Sequence, residues 1–120
     1  MEVRRAENIK AYMTKDGSEV REIFHPNNFP ESRMSVAMAS LNPGKSTMLH
    51  YHKSSDEIYF ILSGSGLLEI EGEKREVSAG DYIYIKAGQK HKVENPGGEP
   101  LKIICFSYPP YSHEDTVLLE

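Results

Sequence analysis

Four side chains in this chain have the types and spacing that metal chemistry needs: His50, His52, Glu57 and His91. Side chains alternate along an extended strand, so His50 and His52 point to the same face. Glu57 opens the next strand-like run, after the short loop Lys53-Ser54-Ser55-Asp56. If those two strands pair as a hairpin, facing Cβ atoms lie about 5 Å apart and Glu57 stands beside both imidazoles. That separation suits one shared ion with ligand bonds of about 2 Å. His91 follows a later turn and could supply a fourth donor from a neighbouring strand. Alternate histidines on a strand also occur as ordinary surface residues. The carboxylate separates the two readings, because a buried Glu without a partner costs several kcal/mol and a cation is its natural neutraliser.

These residues must be positioned by strands. Strand-like segments recur at short intervals, at 19–24, 33–41, 46–52, 57–62, 67–71, 74–77, 82–85, 91–95 and 101–108, with turn-forming residues between them. That rhythm predicts an almost all-β antiparallel sandwich or barrel. The one weak helical stripe falls near 7–13. The tail from 108 to 116 reads as irregular: Pro109-Pro110 stops the last strand and Ser112 is placed to cap a short turn. This segment is expected to wrap over a barrel edge or mouth.

A length of 120 residues suits one domain with a real core, and 38% hydrophobic with 27% charged residues describes an ordinary globular chain. A net charge of −4 with mixed signs argues against nucleic acid as a partner and against docking on anionic membranes. Residues 1–5 lead into no apolar leader, and the run Ile58-Tyr59-Phe60-Ile61-Leu62 is too short to span a bilayer. A single cysteine, Cys105, cannot form an internal disulfide, so the expected location is the reducing cytoplasm.

The stretch from Gly44 to Gly64, with His50, His52 and Glu57 inside it, resembles the first motif of the cupin superfamily, G-x5-H-x-H-x4-E-x6-G, at every fixed position. The stretch Gly80–Asn95 is similar to the second, G-x5-P-x-G-x2-H-x3-N, with Lys86 where the motif has proline. The resemblance implies a small single-domain cupin over 1–120. Its fold would be a double-stranded β-helix, or jelly-roll barrel, with a core at about 33–108. It also implies metal ligands at His50, His52, Glu57 and His91. Gly44, Gly64, Gly80 and Gly88 fall at its turns, and Asn95 reads as structural. Gly44-Lys45-Ser46 is not a phosphate loop, because that motif needs glycine where Ala39 stands and a helix where a strand is expected.

Three imidazoles and one carboxylate without a thiolate suit one Mn, Fe, Co, Ni or Zn ion per chain rather than Ca or Mg. Four protein ligands in an octahedral shell leave two cis positions for water, dioxygen or substrate, the arrangement of a catalytic metal. Strand parity places Ser46 and Met48 with the paired histidines, Tyr59 and Ile61 with Glu57, and Val93 with His91. It adds Ile83 and Ile85, Ile103 and Cys105, and either Met34, Val36 and Met38 or their alternates. This lining is largely apolar and lacks Arg and Lys, although Arg33, Lys86 and Lys90 could reach a mouth. It disfavours a sugar phosphate and favours a small neutral or carboxylated organic molecule.

The expected function is therefore a metalloenzyme of dioxygenase, isomerase or cyclase type. Tyr59 and His25 are the candidate proton-transfer residues, the alternative for His25, as for His113, being an ordinary loop histidine. Two further readings stay open: a non-catalytic module that binds or senses a small ligand or metal, and a structural cupin with a vestigial site. The resemblance also implies a homodimer formed through 20–24, whose edge hydrogen bonds otherwise lack partners.

Overall fold

Along Ser35–Leu41 every second residue is buried, and the same alternation runs through Asp56–Ser63. This is the period of a strand with one face on a core. The computed structural model describes residues 1–120 and is built almost wholly from such strands. They are β1 (Tyr12–Met13), β2 (Glu19–Phe24), β3 (Ser35–Leu41), β4 (His50–His52), β5 (Asp56–Ser63) and β6 (Ser65–Ile70). Then follow β7 (Glu73–Ser78), β8 (Tyr82–Ile85), β9 (His91–Glu94), β10 (Leu101–Tyr108) and β11 (Thr116–Leu118).

Two antiparallel sheets face each other, one ordered β1-β2-β3-β10-β5-β8 and the other β11-β4-β9-β6-β7. The fold is the expected double-stranded β-helix. β10 holds the larger sheet together, pairing with β3 from Leu101↔Leu41 to Ser107↔Ser35 and with β5 on its other side. Ile61, Ile85, Leu101 and Ile103 from this sheet meet Leu68, Val77 and Val93 from the other in the buried core. No helix is long and apolar enough to cross a membrane.

Four expectations need correction. The helical stripe near 7–13 is only a 3₁₀ turn at Ala6–Asn8, because Tyr12 and Met13 are recruited as β1 opposite Val20 and Glu19. The strand expected from 46 to 52 is regular only at β4; Ser46 makes an isolated bridge to Glu94, and the chain between is tied down by single hydrogen bonds. The tail is not wholly irregular, since β11 adds to β4 with Thr116 opposite His52. β2 is not a full edge strand as expected: β1 covers Glu19 and Val20, and only 21–24 are left without a strand partner on that side.

Candidate metal centre

His50 and His91 stand directly opposite each other on β4 and β9, their ring centroids 4.2 Å apart. His52, two residues along β4, points to the same interior. Each of the three imidazoles is buried, and their ligand nitrogens lie within 4.8 Å of one another, a cluster that can hold a metal ion.

Glu57 reaches this cluster by a different route from the one expected. β5 does not form a hairpin with β4, because the two strands belong to opposite sheets, and Glu57 pairs laterally with Ile85 and Ser107. Its carboxylate crosses the interior to the histidines. Oε1 lies 2.7 Å from His52 Nε2 and 3.5 Å from His91 Nε2, while Oε2 accepts a hydrogen bond from Ser107 Oγ at 3.2 Å.

The ring orientations are fixed from behind. His50 Nδ1 lies 2.7 Å from Met48 O, and His91 Nδ1 lies 2.9 Å from Gln89 O. A carbonyl can only accept, so in each neutral ring Nδ1 carries the proton and Nε2 presents a lone pair to the interior. His52 Nδ1 lies 2.9 Å from Thr116 Oγ1, whose own hydrogen goes to Ser112 O at 2.8 Å, which imposes the same tautomer. Despite the short contacts between them, Glu57 Oε1 and His91 Nε2 have no hydrogen-bond partner and are buried. Orphaned buried acceptors are rare and costly, and a cation among them satisfies all at once. The donor set therefore fits a transition metal.

Electrostatics agree. Burial would raise the Glu57 carboxyl, but the His52 and His91 imidazoles outweigh it and hold the group well below the usual carboxylate range. Burial would likewise lower His52, yet its contact with Glu57, helped by Asp115 and Asp16, leaves it raised. His50 is lowered by burial and by the neighbouring His91.

The cluster opens into a cavity of about 60 Å³, room for a few waters or a small organic molecule. Its wall mixes an apolar strip from Ala37, Ala39, Leu41, Val93, Leu101 and Ile103 with polar groups from Ser35, Thr47, Cys105, Ser107 and Tyr111. The wall is more polar than expected, and its charged side chains are acidic: Asp16, Glu22 and Glu57, with no Arg or Lys. Burial pushes the Glu22 carboxyl up.

Parity failed where regular strand failed. Ser46 and Met48 face solvent, Met48 at 41% exposure, and Thr47 lines the cavity instead. On β3 it is the alternates Ser35, Ala37, Ala39 and Leu41 that face inward, not Met34, Val36 and Met38. Tyr59 does border the cavity, edge-on to His91, and burial beside Glu57 keeps its phenol protonated. His25 is not brought there. Its Nε2 bonds to Tyr111 O at 2.7 Å and its Nδ1 accepts from Asn27 N at 3.0 Å, which leaves neither nitrogen free.

Lys86 keeps the turn that proline would otherwise stiffen. Its N–H donates to Gln89 Oε1 at 2.8 Å and its carbonyl accepts from Gln89 N at 3.0 Å, while Gly88 N ties the turn to His52 O at 2.7 Å. Asn95 is structural: its amide donates to Leu41 O and Glu99 O, closing the end of β9. Asp16, Thr116, Ser107 and Tyr111 were not anticipated, and their contacts to the centre come through chain-distant packing that no local spacing reveals.

A two-sheet jelly roll with histidines and a carboxylate converging inside it defines a class of small β-barrel with a buried metal-capable centre. The chain belongs to the cupin family, whose domain model matches residues 37–107. It is 54% identical over 114 residues to an uncharacterized protein of Methanocaldococcus jannaschii, covering 95% of this chain and 91% of that protein. It is 37% identical over 69 residues to an oxalate-binding protein of Thermotoga maritima, covering 58% of this chain and 57% of the relative. Among solved structures, a predicted oxalate decarboxylase from Thermotoga maritima superposes with a TM-score of 0.80 at 25% identity, covering 90% of this chain and 99% of that one.

Proposed function

We propose that the protein is a metal-dependent enzyme that acts on a small oxygen-bearing organic molecule, with His50, His52, His91 and Glu57 holding one divalent Mn, Fe, Co, Ni or Zn ion. The observation that carries this reading is the set of inward lone pairs, with His91 Nε2 and Glu57 Oε1 buried and unpartnered at its centre. When bound, the ion supplies Lewis-acid chemistry at a substrate oxygen or a place where dioxygen meets a chelated substrate.

The chain's own residues do the rest. The backbone carbonyls of Met48 and Gln89 and the Thr116 hydroxyl hold the three rings with Nε2 already turned to the interior. The strip from Ala37 to Leu41 and Ile103 excludes water around a substrate. Tyr59, protonated and beside the cluster, is placed to donate a hydrogen bond to a substrate oxygen. With Asp16 and Glu22 in the wall and no basic side chain, a neutral or singly charged hydroxy-ketone, enol or diol suits the cavity better than a dianion such as oxalate. Isomerisation, cyclisation or dioxygenation of such a molecule fits the site. The name of one relative, an oxalate-binding protein, favours a second reading, capture of a small acid without turnover.

The test combines elemental analysis with assays of the metal-loaded protein for oxygen uptake and for turnover of small acids, diols and enols. Wild type is expected to retain about one equivalent of transition metal per chain, and His52→Ala to retain almost none while keeping its β-sheet spectrum. Wild type holding less than roughly a tenth of an equivalent after soaking overturns the metal reading. Stoichiometric metal with a ligand recovered unchanged moves the assignment to the binding module.

A further inference from the structure

We infer that Asp16 is a fifth protein donor to the same ion, an inference that rests on the metal reading above. Asp16 lies on the turn between β1 and β2, ahead of the residues that match the family model. Its Oδ1 is saturated, accepting from Thr14 Oγ1 at 2.5 Å, Ser18 N at 2.9 Å and Ser18 Oγ at 2.7 Å. The other oxygen, Oδ2, is left to face the cavity 3.5 Å from His50 Nε2, on a side chain only 16% exposed. Since His50 Nδ1 is committed to Met48 O, its Nε2 meets the carboxylate with a lone pair. Two acceptors held face to face repel unless a cation joins them.

The juxtaposition is built rather than incidental. Met48 N donates to Asp16 O at 2.8 Å while Met48 O receives the His50 ring, so one residue sets both donors in a common frame. Lys15 Nζ, next in the turn, donates to Thr116 O at 2.7 Å and anchors it to the strand that holds His52. Donors bound to one ion at 2.0–2.2 Å stand about 3 Å apart when adjacent and about 4 Å apart when opposite. The 3.5 Å separation falls between these. Asp16 approaches beside His50, whereas Glu57 approaches beside His52 and His91, so the two carboxylates flank the triad from different sides.

A second carboxylate changes what the site can take. It neutralises a divalent ion completely, removing the electrostatic attraction for an anionic substrate, and it leaves one open position in an octahedral shell rather than two. A substrate then binds through a single oxygen, or displaces Asp16 to chelate.

The experiment loads full-length wild type, Asp16→Asn and Asp16→Ala with Co²⁺, and measures affinity by chelator competition and coordination by d–d absorption. Circular dichroism of each metal-free variant shows which of them fold. Both Asp16 variants are expected to bind at least about tenfold more weakly with an altered d–d spectrum. A folded Asp16→Asn or Asp16→Ala protein with wild-type affinity and spectrum overturns the fifth donor alone. Wild type that takes up no Co²⁺ overturns the metal reading itself and this inference with it.

Discussion

Thr116 Oγ1 stands 2.9 Å from His52 Nδ1 and gives its own hydrogen to Ser112 O at 2.8 Å. The last strand thereby selects the tautomer of a histidine 64 residues earlier in the chain. Removing the hydroxyl frees the ring to rotate or to protonate at Nε2 instead. Thr116→Val is expected to weaken metal affinity by about 10- to 100-fold, and Thr116→Ser to preserve it. Competition titration against a chelator reads the difference. Equal affinities for the valine and serine variants would remove Thr116 from the centre.

Metal affinity should depend on pH with a defined sign. His52 is raised above its ordinary value of 6.5, so without metal a proton is retained between it and Glu57 at a pH where a free histidine has lost it. An incoming ion must displace that proton. Below the raised value, apparent affinity falls by about tenfold per pH unit for each proton displaced; above it, the competition vanishes. The fall should therefore begin above 6.5, and in Glu57→Gln it should begin at lower pH because the raising partner is gone. An affinity flat from neutral pH down past 6.5 contradicts this assignment.

Binding should also appear as stability. Free metal at 100 times its dissociation constant adds about 2.7 kcal/mol to the folded state. For a chain of 120 residues that raises Tm by something on the order of 10 °C. Differential scanning calorimetry should show this rise in wild type and not in His52→Ala. A saturating ion that leaves the wild-type Tm unmoved would mean that it binds folded and unfolded chain alike.

The motif glycines should not be equally costly to replace. Gly88 has φ +86° with open space where a Cβ would go, so Gly88→Ala meets backbone strain alone, about 1–2 kcal/mol. Gly64 has φ +81°, and its Cβ would run into the Pro100 carbonyl oxygen and lie 3.1 Å from Leu101 Cα. That overpacking is against backbone, which cannot rotate away, so Gly64→Ala should cost about 3 kcal/mol or more. Urea unfolding compares the two directly, and equal midpoints would show that β5 and β10 separate more readily than their pairing implies.

Which parts of this site are legible along the chain follows from the range of the forces involved. His50 and His52 share a face because alternation is a property of residues two apart, whereas His91 arrives opposite His50 only through the long-range pairing of β4 with β9. Glu57 lies beside His52 and His91, but not by the route its spacing implies. Four intervening residues suggest a hairpin, whereas β5 pairs with β10 and β8, and that choice depends on burial of Ile61, Ile85 and Ile103 far along the chain. Parity likewise held on β5 and β9 and broke at Ser46–Met48, where hydrogen bonds to Asp16 and Val93 replace a regular ladder.

Most of the strand rhythm, the turns and the shared face of His50 and His52 are legible along the chain, because these rest on backbone sterics and on residues a few positions apart. That the carboxylate meets the histidines across two sheets, that Thr116 holds His52, that Asp16 faces His50, and that His25 is spent elsewhere are outcomes of long-range packing. Those contacts arise when distant segments are pressed together to bury apolar surface, and the hydrogen-bonding groups then take whatever partners that packing brings within reach.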